Sequence, residues 1–202
     1  MPQTATRDEL NTLVAEILGR ETRRIVLIDG YSGSGKAALA RELVTLDGVI
    51  SVSVSSYQLN GALDVRRMRK DVVKPFRRGR TIKGSLQGAL NSESRDARLL
   101  LITGRGVGDS REPLSADQLW WCESNATQRA QRLGGTGNVP GATFNAIRQR
   151  LEQTETDQLR ERMIGEADLI VMTDETVDVA PSGDPLPDEQ AAAEHGLSLI
   201  HI

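Results

Sequence analysis

A short glycine-rich segment, Asp29–Ala37, constrains the fold of this chain more than any other part of its sequence. It follows the β-branched and leucine run Ile25–Ile28, which predicts a strand covered on both faces. Its last two residues open a stretch of helix-forming residues, Lys36–Val44. Glycines allow the backbone to curl so that several amide N–H groups point inward, and a helix N-terminus adds partial positive charge. The segment therefore predicts an anion cradle between a buried strand and a helix.

The spacing of glycine and lysine in this segment is that of a phosphate-binding loop. Gly30, Gly35 and Lys36 form the pattern G-x-x-x-x-G-K, with a further glycine at Gly33. In such loops the backbone amides bind phosphate oxygens, and the lysine reaches the outer phosphates as a mobile point charge. A glycine-rich turn without a ligand is the alternative interpretation. We expect phosphate contacts from the following residues: Gly30, Tyr31, Ser32, Gly33, Ser34, Gly35, Lys36 and Ala37.

Strand-like and helix-like segments alternate along the chain, which is typical of an α/β protein. Thr6 and Glu9 have the spacing of a capping box, and the apolar positions after them predict a helix over 7–19. The alternation favours right-handed crossovers, and so a mainly parallel sheet of about five strands with helices on both faces. Together with the phosphate-loop pattern after the first buried strand, this sheet corresponds to a P-loop NTPase-type three-layer sandwich. Besides 25–28, strands are expected at 49–54, 99–102, 119–122 and 169–172, and helices at 36–44, 126–133 and 143–164.

The composition restricts the class of protein. The 202 residues include 25 basic and 28 acidic side chains, a net charge of −3, which fits one sizeable domain and excludes a bulk polycation. Cys122 is the single cysteine, so an intrachain disulfide and a cysteine-cluster metal site are excluded, and its place in a strand predicts a buried thiol. No run approaches the ~18 apolar residues of a membrane span, and the N-terminus lacks a signal-peptide pattern. We therefore expect a cytoplasmic protein with no membrane partner.

The charges are unevenly distributed along the chain. Nine of the ten charged residues from Arg66 to Lys83 are basic. After Arg162 the chain has no lysine or arginine, and its charged residues are acidic. The basic stretch is either a surface for an anionic partner or a solvated helix and loop. Phe76 is its single aromatic residue, which disfavours base stacking and therefore nucleic acid as a partner.

Three regions are expected along the chain. Residues 1–22 form an N-terminal helical region, residues 23–175 form the main P-loop domain, and residues 176–202 form an acidic tail rich in proline and alanine. Low hydrophobicity and excess negative charge predict that this tail is disordered. Its last six residues, Leu197–Ile202, differ abruptly in composition and resemble translated sequencing-adapter read-through, so we expect them to be an artefact.

The core D-G-x-S-G-S-G-K within Ile25–Ala40 resembles the uridine kinase-like branch of the P-loop nucleoside and small-molecule kinases. Three weaker matches extend the resemblance: the turn Gly106–Gly108, the strand Leu119–Glu123 and the closing strand Glu166–Val171. The resemblance implies ATP or another nucleoside triphosphate as ligand, and a small molecule as phosphate acceptor.

Three positions depart from the pattern of that family. Ala37 stands where a Ser or Thr hydroxyl would ligate Mg²⁺, and Ser55–Tyr57 stands where the family has an acidic D-D-x-Y segment. Arg105 stands at the glutamate position of an E-G-x-G turn. Phosphoryl transfer depends on positioning and on charge neutralisation by Mg²⁺. We therefore expect no protein ligand for the metal, doubtful use of Mg²⁺, and phosphoryl transfer that is weakened or lost.

Further charged side chains are candidates for a role at the site. Arg105 is always ionised and could replace part of the missing positive charge by binding phosphate oxygens in a bidentate manner. Asp29 and Glu123, each at the end of a predicted strand, could take over from the missing acids. Arg129 and Arg132 follow the fourth strand, where P-loop kinases often place lid arginines that bind the triphosphate. A surface helix face is the alternative for both arginines.

Three functions remain open at this point. The first is a nucleotide-binding protein that holds the phosphates of ATP or GTP and transfers them poorly or not at all. The second is an active nucleoside or small-molecule kinase with substituted acidic residues. The third is an interaction protein that uses the basic stretch 66–83, with the phosphate loop as a structural relic.

Overall fold

Six parallel strands form the central sheet. The computed structural model describes residues 3–59, 62–82, 95–134, 146–147, 149 and 157–173. Its strands are β1 (Gln3–Ala5), β2 (Arg24–Gly30), β3 (Val49–Ser53), β4 (Gln58–Leu59), β5 (Ala62–Leu63), β6 (Leu99–Thr103), β7 (Gln118–Glu123) and β8 (Leu169–Met172). The order across the sheet is β1-β8-β7-β2-β6-β3, with β4 and β5 forming a separate antiparallel pair. The glycine-rich segment therefore follows an interior strand.

Helices connect the strands. They are α1 (Arg7–Leu18), α2 (Lys36–Leu43), α3 (Val65–Met68), α4 (Lys74–Arg77), α5 (Arg111–Leu114), α6 (Ala126–Gly134) and α7 (Asp157–Glu166). A π-helical turn, Arg69–Val73, joins α3 to α4, so that residues 65–77 form one helical segment, termed the basic helix below. Among the described residues, no helix is both long and apolar enough to cross a membrane.

Two apolar cores lie on the two faces of the sheet. Successive residues of a strand point to opposite faces, so Val26 and Ile28 face one core while Ile25 and Leu27 face the other. Helices α1 and α2 cover the first face; the basic helix, α5 and α7 cover the second. The expected α/β sandwich with a mainly parallel sheet is thereby confirmed.

Strand β7 shows the same alternation with larger side chains. Trp120 packs in the core under α1 and α2, and Trp121 packs in the core on the opposite face. The thiol of Cys122 is buried, as its position predicts, and burial raises its pKa to about 12. The thiol is therefore protonated near neutral pH and contributes to packing rather than to nucleophilic chemistry.

The sheet has one strand more than the five expected from the sequence. Residues Gln3–Ala5 pair in parallel with β8, so the N-terminal region contributes a strand as well as a helix. The capping box at the start of α1 is present: the amide of Thr6 donates to the Glu9 carboxylate at 2.8 Å, and the amide of Glu9 donates to the Thr6 hydroxyl. This local network turns the chain from β1 directly into α1.

The observed bounds of the expected elements agree closely with the sequence pattern in most cases. The helix expected over 143–164 is represented by α7, which begins at Asp157 and ends at Glu166, and by helical residues at 146–147 and 149. The remainder of that stretch lies outside the described residues, as does the tail expected over 176–202.

Replacing Leu10 with alanine should destabilise the whole domain if α1 is part of the common core. The Leu10 side chain is 1% exposed, so its truncation should lower the free energy of unfolding by about 2–5 kcal/mol. Urea unfolding measures the change. Leu59→Ala is the matched control because Leu59 is 63% exposed, and it should cost less than about 0.5 kcal/mol. Equal transition midpoints for both variants would contradict this packing.

Candidate functional site

The glycine-rich segment lies at a point where the order of strands changes direction. It begins at the carboxyl end of β2, between β6 and β7, and the next strand along the chain, β3, pairs on the far side of β6. In open parallel sheets a crevice forms at such a point, because the connections leave the strand ends in opposite directions. The topology therefore brings the segments that follow β2, β6 and β7 together around one crevice.

The loop after β2 is curled by three glycines with positive φ. These angles are 144° at Gly30, 79° at Gly33 and 87° at Gly35, a region that side chains of other residues rarely adopt. The amide of Ser34 donates to the carbonyl of Tyr31 at 3.1 Å, which closes a turn inside the loop. Gly35 is the N-cap of α2, so the loop leads directly into a helix N-terminus.

The side chain of Lys36 is directed back over this loop. Its ammonium donates to the carbonyl oxygens of Gly30 at 2.7 Å and Tyr31 at 2.6 Å, and lies 3.4 Å from the Ser34 hydroxyl. Burial is the largest effect on the pKa of Lys36 and lowers it; the positive charge of Arg105 lowers it further. The ammonium thus lies inside the curl and is partly buried.

The carboxylate of Asp29 connects the loop to the turn that follows β6. One oxygen accepts hydrogen bonds from the amides of Gly30 at 2.7 Å and Gly106 at 2.9 Å, and the other accepts from Gly108 at 2.8 Å. Burial raises the pKa of Asp29, while the three amides and the Lys36 charge oppose that rise. Asp29 therefore lies beneath the loop as a link between two segments, with 2% of its surface exposed.

Helix α6 contacts the loop from the side of β7. Arg132 donates to the carbonyl of Gly33 at 3.1 Å and to the carbonyl of Thr173 at 2.7 Å. The hydroxyl of Thr173 in turn donates to the carbonyl of Ser34 at 2.7 Å. The two arginines expected in a lid thus lie in different surroundings. Arg132 contacts the loop, whereas Arg129 is buried, with its guanidinium 5.2 Å from the ring centre of Tyr31. Thr173, which has no recognisable sequence signal, was missed.

The donors around the loop do not fit an Mg²⁺ ion held by the protein. Ala37 has no oxygen in its side chain, and both oxygens of Asp29 accept amide hydrogen bonds. The carboxylate of Glu123 binds the indole N–H of Trp121 at 2.7 Å and the guanidinium of Arg160 at 2.9 Å. Among the described residues, no cluster of three or more His, Cys, Asp or Glu side chains could hold a metal. A phosphate-bound metal would therefore receive little support from side chains.

A cavity of about 480 Å³ adjoins the loop on the side of α1. Gly35 and Leu39 form the wall next to the loop, Leu10 contributes from α1, and Arg132 and Thr173 border it at the carboxyl edge of the sheet. The sequence does not predict this cavity, because its wall combines residues from both ends of the described chain.

The basic stretch occupies a different part of the surface. The basic helix buries Met68, Val72 and Phe76 and exposes most of its arginines and lysines, while Arg77 forms an ion pair with Asp117 at 2.7 Å. Phe76 is fully buried and offers no platform for a base. Lys83 lies outside the described residues.

Replacing Asp29 with asparagine should remove one component of the pH dependence of stability. Burial raises the pKa of Asp29 above its ordinary value of 3.8, so the folded chain binds this proton more tightly than the unfolded chain. The free energy of unfolding of the wild type, relative to Asp29→Asn, should therefore fall as the pH rises from the ordinary pKa of 3.8 through the raised pKa of Asp29. Above the raised pKa the difference should become constant.

Urea unfolding between pH 3 and pH 8 measures this difference, with Asp47→Asn as the control because Asp47 is exposed. The control should keep the slope of the wild type. A wild-type stability that rises with pH relative to Asp29→Asn would show that the amide bonds outweigh burial.

Neither a family model nor a curated protein matches this chain. A protein of Silicibacter sp. TM1040, provisionally named as a fructose transport system kinase, is 18% identical with a TM-score of 0.50, over 80% of this chain and 97% of that one. A provisionally named uridine kinase of Bacillus stearothermophilus is 16% identical with a TM-score of 0.45, over 82% and 98%. Shikimate kinase of Acinetobacter baumannii, in complex with shikimate, is 17% identical with a TM-score of 0.43, over 77% and 87%. The first of these likenesses, together with the glycine-rich loop after β2, shows a P-loop kinase-like fold, which confirms the expected resemblance at the level of the fold.

Proposed function

We propose that this protein binds the phosphate groups of a nucleoside triphosphate at residues 30–37, with phosphoryl transfer weakened or lost. The observation that carries the proposal is the curled loop with the Lys36 ammonium directed over it, at the N-terminus of α2. The fold comparison supports a kinase-like architecture but names no ligand for this chain.

The phosphate contacts follow from the donors of the loop. Backbone N–H groups of a curled loop and of a helix N-terminus favour anionic oxygens. The Lys36 ammonium donates to two loop carbonyls, and a phosphate oxygen is a stronger acceptor for a charged donor than a neutral carbonyl. Since the ammonium is partly buried, its attraction for a phosphate is screened less than it would be at the surface.

The cavity beside Gly35 is the place for the remainder of the nucleotide. Its volume of about 480 Å³ lies within the usual range of ligand pockets, about 300–1,000 Å³. The accessible apolar side chains of Ala38 and Met172 suit the face of a base, and Arg132 and Thr173 provide polar groups at its edge. In this arrangement Arg132 positions the loop through the Gly33 carbonyl while bordering the same cavity.

Weak phosphoryl transfer follows from how the acidic side chains are engaged. A transfer reaction needs a base or an orienting group for the acceptor, and a cation that bridges the outer phosphates. Asp29 accepts three amide hydrogen bonds, and Glu123 is paired with Arg160. Neither carboxylate is therefore placed to receive a proton from an acceptor or to ligate a metal.

Lys36→Ala should weaken the binding of ATP at least tenfold, because it removes the charge inside the loop. Calorimetric titration with ATP in the absence of metal measures the effect. Lys70→Ala is the control: Lys70 is exposed on the basic helix, and its removal should change the affinity less than twofold. Absence of ATP binding by the wild type would refute nucleotide binding, and equal losses for both variants would refute the role of Lys36.

Mg²⁺ should tighten the binding of ATP by less than tenfold, about 1.4 kcal/mol of coupling, because no cluster of acidic, histidine or cysteine side chains in the described part of the chain could hold the metal and Ala37 has no oxygen to offer. Ala37→Thr restores the missing hydroxyl and should increase this coupling while leaving metal-free affinity nearly unchanged. The paired titrations with and without Mg²⁺ measure both values. Coupling above tenfold in the wild type, or transfer of a γ-phosphate label to any nucleoside or vitamin in a panel, would favour the active-kinase alternative.

A further inference from the structure

We propose that a second anion-binding position lies beside the phosphate loop, formed by Arg105 with the hydroxyl groups of Ser53 and Ser55. This position would accept a small molecule that carries a phosphate or carboxylate group. The second ligand of this protein would then be an anion and not a neutral sugar. The inference rests on the proposed function only in that it places this ligand next to the bound triphosphate.

The sheet brings these three residues to one corner. Strands β3 and β6 are adjacent and parallel, and Ser53 is paired with Thr103 at their carboxyl ends. Beyond this pair, Val54 packs directly on Gly104: a Cβ atom on Gly104 would lie 1.9 Å from a methyl carbon of Val54. Ser55 and Arg105 are the next residues along their two segments, so both emerge at the same edge.

The backbone on either side of Arg105 is anchored. Gly104 is held against Val54, and the amide of Gly106 donates to the Asp29 carboxylate at 2.9 Å. Gly106 has a φ of 73°, which completes a tight turn that only glycine adopts readily. Because Asp29 also binds the amide of Gly30, the turn that carries Arg105 is connected directly to the phosphate loop.

The charges at this corner favour an anion. Arg105 is exposed, and it forms no ion pair or hydrogen bond with the described part of the chain. The nearby acids have other partners: Asp109 is paired with Arg162 at 3.0 Å, and Asp64 accepts the amide of Arg67 at 2.9 Å. With Lys36 on one side and Arg105 on the other, the crevice is cationic, so a metal ion is repelled and an anionic group is attracted.

The donors present suit an oxyanion. A guanidinium offers two parallel N–H groups to a phosphate or carboxylate. The hydroxyl oxygens of Ser53 and Ser55 lie 2.8 Å apart and are bonded to each other, so one of the pair retains a proton to donate outward. Arg105 and the two serine hydroxyls thus make this corner an environment for anions.

The test is a titration with inorganic phosphate of protein already saturated with a non-hydrolysable ATP analogue, which fills the phosphate loop. The wild type should bind one phosphate per chain, and Arg105→Gln should weaken that binding at least tenfold while changing the affinity for the analogue less than threefold. Ser55→Ala should weaken phosphate binding at least threefold, because one hydrogen bond to an ionised group is lost. Arg80→Gln, at an exposed arginine beyond the basic helix, is the matched control and should leave phosphate binding unchanged.

The contrary results separate failure of this inference from failure of the proposed function. No phosphate binding by the wild type, or phosphate binding that Arg105→Gln leaves intact, would remove the second position. A tenfold loss of analogue affinity in Arg105→Gln with no separate phosphate binding would assign Arg105 to the triphosphate itself. Failure of the analogue to bind the wild type would refute the proposed function instead. Phosphate titration without the analogue, comparing the wild type with Arg105→Gln, would then still decide whether Arg105 binds anions.

Discussion

The buried carboxylate of Asp29 is the interaction on which the arrangement of the site depends. It accepts three backbone amides, one from the phosphate loop and two from the turn after β6. A buried charge is costly unless hydrogen bonds replace its hydration, and here they come from the two segments that must lie side by side. One side chain thus determines both the start of the loop and the position of the turn that carries Arg105.

A second set of contacts shapes the loop from outside. Arg132 and Thr173 bind the carbonyls of Gly33 and Ser34, and Lys36 binds those of Gly30 and Tyr31. Because the protein's own side chains bind these carbonyl groups, the loop is held in its curled conformation without a ligand. Binding to a loop that is already shaped avoids much of the entropy lost on ordering, which favours affinity even where metal ligands are missing.

The sequence predicted the elements whose signals are local. The run Ile25–Ile28, the glycines that follow and the capping box at Thr6 each depend on neighbours within a few residues, and each was located correctly. Strand β1 was missed because Gln3–Ala5 has no β-branched run, and its pairing with β8 involves backbone atoms of a distant segment. Tertiary context therefore supplied the sixth strand.

The candidate site likewise contains a part that the sequence predicts and a part that it does not. The phosphate loop could be identified from glycine spacing. By contrast, two of the three amides that Asp29 binds lie 77 and 79 residues further along the chain, and the Ser34 carbonyl that Thr173 binds lies 139 residues earlier. Such contacts depend on which strands are adjacent, and a single sequence does not specify that. For this reason Asp29 was interpreted as a candidate acid, while the structure places it among amides.

The pairing of β1 with β8 also has a consequence for the order of folding during synthesis. Gln3 is synthesised before its partner Leu169, and the other four strands of the sheet lie between them in the sequence. Contacts between residues so far apart in sequence form slowly because a large loop must first close. Strand β1, which precedes the other described strands in the sequence, is therefore expected to be the last to join the sheet, with the interior strands already assembled.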